Sequence, residues 1–271
     1  MAIAHKGLLV ASFVTLALSV ADWAQAADQP YVPKVGQGGK DVVWVPTSQA
    51  VVDQMLDMAG LTPDDKLVDL GSGDGITVIS AAKRGAMARG IEYNPDMVAL
   101  SKQNAEKAGV SERASFDEAD IFESDFSDAN VVTMFLLPDL NVRLRPKLLD
   151  MEPGTRIVTN SFTMDDWQPD DSTQVQNCAS YCYVYKWVVP AKVGGSWNLG
   201  DQQLVLTQRY QLLEGNLEGA DASTPITEAR VDGKRVSFTA NGHHYVGEVE
   251  GTTMRGTVDE SEEWTATFVE S

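Results

Sequence analysis

Asp69, Gly71, Gly73 and Gly75 are spaced D-x-G-x-G-x-G within Leu67-Val68-Asp69-Leu70-Gly71-Ser72-Gly73-Asp74-Gly75, joining one acid to a backbone freed of Cβ atoms. Alternating glycines let a chain turn tightly and approach a ligand, and a helix starting near Ile76 aims its free N–H groups at the same place. That chemistry suits the holding of a nucleotide-type cofactor. A dinucleotide fingerprint runs G-x-G-x-x-G, whereas here the third glycine comes one residue early and an acid lies inside the strand, two residues before the first glycine.

This form resembles motif I of class I S-adenosylmethionine (SAM) methyltransferases, and the resemblance implies SAM as cofactor, held around Asp69, Gly71, Ser72, Gly73 and Gly75. Downstream residues fall where such a site needs them. Ala88-Arg89-Gly90-Ile91-Glu92-Tyr93 reads as a second strand ending in an acid roughly 20 residues past the first glycine, where a carboxylate accepts ribose hydroxyls. Glu92 is the ribose candidate. Asn94-Pro95-Asp96 opens a helix with Met97, Leu100 and Ala105 on its buried face, and residues 114–122 follow as a third strand with a loop. There Asp120 is a candidate acceptor for the adenine amine, with Ile121 against the ring. Thr47, ahead of a helix over Ser48 to Met58, is a candidate for the SAM carboxylate; N-capping of that helix is the alternative.

The elements that must position these residues alternate helix and strand from Trp44 to about Phe162. Asn130 to Leu136 is a continuous apolar run of the kind a central parallel strand needs, and Gly154 to Asn160 is the next such strand, after a helix around Leu144 to Leu149. The order predicts a doubly wound, Rossmann-like α/β sheet with its ligand at the carboxyl ends of the strands. After Pro190 the pattern changes. Short alternating segments, Gln203 to Tyr210, Arg235 to Thr239 and Tyr245 to Val249, are separated by Asp232-Gly233, Asn241-Gly242 and Glu250-Gly251. They predict a small antiparallel β domain over residues 192–271, closed as a barrel to remove its edges, after a methyltransferase domain over 27–191. Trp197 and Trp264 fit either the core of that tail or a ligand cavity within it.

Over Trp44 to Phe162 the resemblance widens. Val45-Pro46-Thr47, the glycine block, Gly90-Ile91-Glu92 and Thr133-Met134-Phe135-Leu136-Leu137-Pro138-Asp139-Leu140-Asn141 together look like bacterial exported SAM-dependent methyltransferases. The core is also similar to mitochondrial lysine methyltransferases acting on an ATP synthase subunit and the adenine nucleotide translocase. This implies that the loop after the fourth strand, at Leu137, Pro138 and Asp139, faces the methyl group. A lysine acceptor, with a pKa near ~10.4, must lose a proton before it attacks, and Asp139 is the candidate to receive it, N-capping being the alternative. The chain has Ile76 where those lysine enzymes usually carry Arg, and it lacks the Asn-Pro-Pro-aromatic run of other amino-group methyltransferases. The acceptor therefore stays open between a protein lysine and a small molecule. A SAM-binding module with little turnover and a β-barrel ligand carrier with a vestigial enzyme half are the competing expectations.

Composition sets the limits. With 39 acidic against 21 basic residues the formal net charge is -18, and no Lys/Arg cluster is present to neutralise phosphates, so nucleic acid is not expected as a partner. Lys6, the uncharged apolar run Leu8 to Val20 and Ala24-Gln25-Ala26 form a secretory leader pattern over residues 1–26. The expectation is export to the periplasm with no membrane insertion after cleavage, an uncleaved anchor being the alternative. Cys178 and Cys182 are the only cysteines; too few for a zinc site, they flank a three-residue hairpin loop if Ser172–Asn177 and Tyr183–Val189 pair as strands. A disulfide suits the oxidising compartment, against two buried thiols as the alternative.

Overall fold

A computed structural model describes residues 1–2, 31–220 and 222–269; the leader pattern lies outside the described residues. All named helices and strands fall in one compact unit, Pro33–Ser271. Its first half alternates as the sequence predicts: α1 (Gln49–Met58), β1 (Lys66–Leu70), α2 (Ile76–Lys83), β2 (Met87–Glu92), α3 (Pro95–Lys107), β3 (Ala114–Glu118), β4 (Val131–Met134), α4 (Pro138–Leu149) and β5 (Arg156–Asn160). The hairpin β6 (Asp171–Gln174) and β7 (Tyr183–Val188) follows.

The sheet order is β3-β2-β1-β4-β5-β7-β6, parallel from β3 to β5 and antiparallel at β7. Chain direction along the sheet reverses between β1 and β4, and the carboxyl ends of those two strands open the crevice where α/β sheets take ligands. β1 and β4 are sheathed on both faces: Leu67, Val68, Leu70, Val131, Val132 and Met134 are all buried, which is why both read as apolar runs. α1 packs on the sheet through Val51, Val52, Met55 and Leu56, and Asn94 caps α3 by accepting the Asp96 N–H at 2.9 Å.

Two local features have identifiable causes, and the second differs from expectation. Asp120 lies beyond β3, which stops at Glu118, because the Asp120 carboxylate accepts the Phe122 N–H at 2.9 Å and turns the chain. Helix α4 starts at Pro138, well ahead of Leu144, since a proline at the first helical position needs no N–H partner. The β6–β7 hairpin forms with Ser172 opposite Tyr185, and its loop is closed by a Cys178–Cys182 disulfide with Cα atoms 5.7 Å apart.

The tail is all β: β8 (Gly195–Leu199), β9 (Gln202–Arg209), β10 (Leu212–Glu218), β11 (Ser223–Pro225), β12 (Thr227–Asp232), β13 (Arg235–Ala240), β14 (His243–Glu250), β15 (Thr253–Val258) and β16 (Glu262–Phe268). Of these nine strands β11 sits on β10 alone; the other eight close into an antiparallel barrel through the β9–β10, β16–β8 and β10–β12 pairings. Asn241 and Gly242, at φ 54° and 81°, make one tight turn, while Gly233 and Gly251, both at φ 58°, head the two others. Trp197 and Trp264 are core, 1% and 7% exposed, and their indole N–H groups go to the backbone carbonyls of Val193 and Val246. Phe238 stacks on Tyr245 beside them, so side chains fill the barrel.

Barrel and α/β sheet are docked through the segment following β5. The Trp167 indole donates to Gln211 Oε1 at 3.0 Å and its ring stacks on Tyr210; Gln211 Nε2 donates to the Gln168 carbonyl at 2.8 Å. Arg230 pairs with Asp170 at 2.8 Å, and Asp166 takes Arg145, Arg209 and the Tyr210 hydroxyl. The Arg209 contact leads in pushing the Asp166 carboxyl down to about 2. Among the described residues no helix is long and apolar enough to cross a membrane.

Candidate functional site

One cavity runs across the carboxyl ends of β3, β2, β1 and β4, lined at one end by Asp120 and Ile121 and at the other by Phe162 and Tyr181. Its floor is the glycine turn. Gly71, Gly73 and Gly75 take φ values of 76°, 54° and 83°, which side chains disfavour. A Cβ on Gly73 would lie 2.9 Å from the Trp44 indole nitrogen, and one on Gly75 would lie 2.8 Å from the Phe116 ring. Gly90, on the neighbouring strand, lets Ser72 in: a Cβ there would sit 2.5 Å from Ser72 Oγ. That hydroxyl is buried without a protein partner at the edge of the cradle.

Glu92 ends β2 beside this turn. Its two carboxylate oxygens accept the Gly73 N–H at 3.0 Å and the Asn94 N–H at 2.9 Å, leaving lone pairs for two further donors. An acid so fixed next to a Cβ-free backbone suits the ribose of SAM, and the buried, unpartnered Ser72 hydroxyl is a further polar group a ligand can satisfy.

Asp69, at the end of β1, is buried and accepts the Thr133 hydroxyl at 2.7 Å. Burial pushes its carboxyl up to about 7, the Thr133 hydrogen bond opposes the rise, and the nearby Glu92 and Asp74 charges add to it. Thr47 lines the cavity, while the capping of α1 falls to Ser48, whose hydroxyl accepts the Val51 N–H.

Asp120 and Ile121 both line the cavity, but the Asp120 carboxylate is already engaged by Lys40 and by the Phe122 N–H. The Lys40 hydrogen bond leads in holding the Asp120 carboxyl below the ordinary carboxylate range. Lys40 also sits 4.8 Å over the Tyr93 ring. It belongs to a strap, residues 36–44, that folds across the cavity through Gly36 N–H to Trp44 carbonyl and Gly39 N–H to Val42 carbonyl bonds of 2.9 Å. Sequence pattern gave no sign of this strap beyond its glycines and Trp44, because its fold rests on contacts with Met97, Tyr93 and Asp120 far along the chain.

At the far end the lining residues are Leu136, Leu137, Leu140 and the aromatic trio Phe135, Phe162 and Tyr181. Of the predicted methyl-facing loop, Leu137 lines the cavity. Pro138 and Asp139 are exposed in the first turn of α4 and are not part of the lining, since the early start of the helix carries both away. Asp139 is thus neither the N-cap, a place held by Leu137, nor a group within the cavity. Among the described residues no cluster of His, Cys, Asp and Glu suits a metal.

The chain is similar to known methyltransferases along its α/β half. The ANTKMT methyltransferase domain matches residues 69–171. A protein-lysine N-methyltransferase of Saccharolobus islandicus is 41% identical over 151 residues, 55% of this chain and 94% of that one. The adenine nucleotide translocase lysine N-methyltransferase of Mus musculus is 35% identical over 130 residues, but the match spans 47% of this chain and only 56% of the mouse protein. An RNA methyltransferase of Salinibacter ruber, crystallised with S-adenosyl-L-homocysteine (SAH), shares 43% identity and a TM-score of 0.52 over 55% of this chain and 96% of that one. A glycine cradle with a ribose-ready acid at the switch point of the sheet, in a chain this similar along nearly the whole of two such proteins, makes it a member of the class I SAM-dependent methyltransferases.

Proposed function

We propose that this methyltransferase acts on the ε-amine of a lysine in a protein, and that it does so outside the cytoplasm. The observation that carries the acceptor is the 41% identity to the Saccharolobus islandicus protein-lysine N-methyltransferase along 94% of that protein. Charge supports the same choice: a chain of net charge -18 attracts a basic segment and repels phosphates. The leader pattern of residues 1–26 and the Cys178–Cys182 disulfide support an exported location.

When bound, SAM supplies a methyl group on an electrophilic sulfonium. The protein's part is to align and to exclude water. Glu92 and the glycine turn fix one end of the cavity, and the strap closed by Lys40 and Asp120 covers it. At the other end Phe135, Leu137 and Phe162 desolvate an incoming amine, and desolvation favours its neutral, nucleophilic form. The Tyr181 rim is exposed, so the released proton has a path to water.

The mature protein should be incubated with methyl-labelled SAM and a protein extract from its own compartment, and labelled products hydrolysed to amino acids. Methyl-lysine is the expected product. Label in RNA or in a small molecule would overturn the lysine acceptor.

A further inference from the structure

The far end of the cavity has a composition that the cofactor does not account for. Phe135 leaves β4, Phe162 leaves β5, and Tyr181 comes from the disulfide-closed loop between β6 and β7. Three separate loops thus bring one aromatic ring each to a single place. Ring centroids of Phe135 and Tyr181 are 5.1 Å apart, and each lies 6.2 Å from that of Phe162. The glycine turn and Asp120 follow β1 and β3, and Glu92 ends β2; the rings follow β4, β5 and β6, on the other side of the switch point. The sheet therefore separates a polar end for the cofactor from an aromatic end for something else.

Tyr181 is held there at some cost. It takes φ 56°, a left-handed conformation that side chains avoid, inside a loop of three residues between Cys178 and Cys182. Tyr181 is 44% exposed and is not part of either core. Its ring contacts are with Phe135 and Phe162, the two other aromatic residues lining this end of the cavity.

We infer that Phe135, Phe162 and Tyr181, packed ring against ring, form the aromatic wall of a sleeve for an alkylammonium chain, with Tyr181 an acceptor-binding residue and the Cys178–Cys182 disulfide the device that positions it. Aromatic faces favour a cation, and more so where water is excluded. In the transfer the amine lone pair forms the new N–C bond while the C–S bond breaks and its electron pair stays on sulfur. Positive charge so moves from sulfur to nitrogen, and the proton then leaves to water. Rings around the nitrogen favour the charge as it arrives, which is when stabilisation speeds the step. The methylene stem of a lysine can lie along the apolar side of these rings that faces the cavity. This inference rests on the lysine acceptor proposed above.

The test titrates SAH-loaded protein with the methylamide of acetyl-trimethyl-lysine and with its uncharged isostere, in which a tert-butyl group replaces the trimethylammonium. The cation should bind tighter than the isostere by about threefold to tenfold. Tyr181→Ala should abolish that preference, Tyr181→Phe should keep it, and SAH affinity should stay within about twofold in both, since the ring does not touch the cofactor end. The double variant Cys178→Ser/Cys182→Ser should behave as Tyr181→Ala does, and Tyr181→Ala tests the sleeve with the disulfide intact. Equal binding of cation and isostere by the parent protein, or an unaltered preference in Tyr181→Ala, overturns the sleeve. If methyl-lysine still forms in the extract assay, only the sleeve falls; if none forms, the lysine acceptor falls too.

Discussion

The Gly73 N–H donates to Glu92 Oε2 at 3.0 Å, so the glycine turn and the acid at the end of β2 are one hydrogen-bonded unit. Removing the carboxylate releases the turn and also takes away the acceptor proposed for the ribose. Hydrogen bonds to a charged group contribute about 1.5–3 kcal/mol, so Glu92→Ala should weaken SAH and SAM binding by about tenfold to a hundredfold. Glu92→Gln should fall between. Calorimetric titration checks both, and parent-like affinity in Glu92→Ala would remove Glu92 from the cofactor site.

Asp69 makes stability depend on pH in an unusual direction. Near its ordinary value of 3.8 the unfolded chain loses this proton, while the folded chain keeps it until about 7. Between those values the folded state binds the extra proton, so this group's contribution falls as pH rises and levels off above 7. Asp69→Asn abolishes the titration, and its carbonyl oxygen can still accept the Thr133 hydroxyl. The stability of the variant relative to the parent should rise from pH 5 to pH 7 by at most about 1.4 kcal/mol per unit, read by denaturant unfolding. A flat difference across that range would place the Asp69 titration elsewhere.

Gly90→Ala tests how closely β2 approaches the cradle. Its Cβ would lie 2.5 Å from Ser72 Oγ and 2.7 Å from the Phe116 ring, and both neighbours are buried. Overpacking of this kind costs about 1–3 kcal/mol, seen as a lower denaturation midpoint. An unchanged midpoint would mean that the turn yields freely.

The barrel contact makes a graded prediction. Gln211→Ala leaves the buried Trp167 N–H without its acceptor and should cost about 1–3 kcal/mol. Arg209→Ala breaks an exposed ion pair with Asp166, 71% and 38% exposed on the two sides, and should cost less than Gln211→Ala because solvent screens the pair. Chemical denaturation of the two variants gives the order; a reversal would mean that charge, and not the indole hydrogen bond, holds the halves together.

Local chemistry made much of this legible from sequence. The D-x-G-x-G-x-G spacing, the acid ending the second strand and the Asn94-Pro95 helix start are each decided within a few residues, and β1, β2 and α3 lie where those signals put them. β-turn glycines likewise marked the barrel hairpins. What escaped is non-local. Lys40 reaches Asp120 across 80 positions, Trp44 meets Gly73, and Phe135, Phe162 and Tyr181 converge from three loops, none of which leaves a periodic trace. Asp139 lies outside the cavity lining for a local reason: Pro138 starts a helix, and the acid falls in its exposed first turn.

The pairing of β16 with β8, Ala266 opposite Leu199, has a consequence for how the chain is made. A ring closed by pairing β16 with β8 cannot form until the chain has been made through β16, and such long-range pairings are slow to form. Before that moment β8 offers an unpaired edge, the kind of surface on which nascent chains stick to one another. A stop codon late in the tail would therefore remove more than one strand: it would leave the ring permanently ajar.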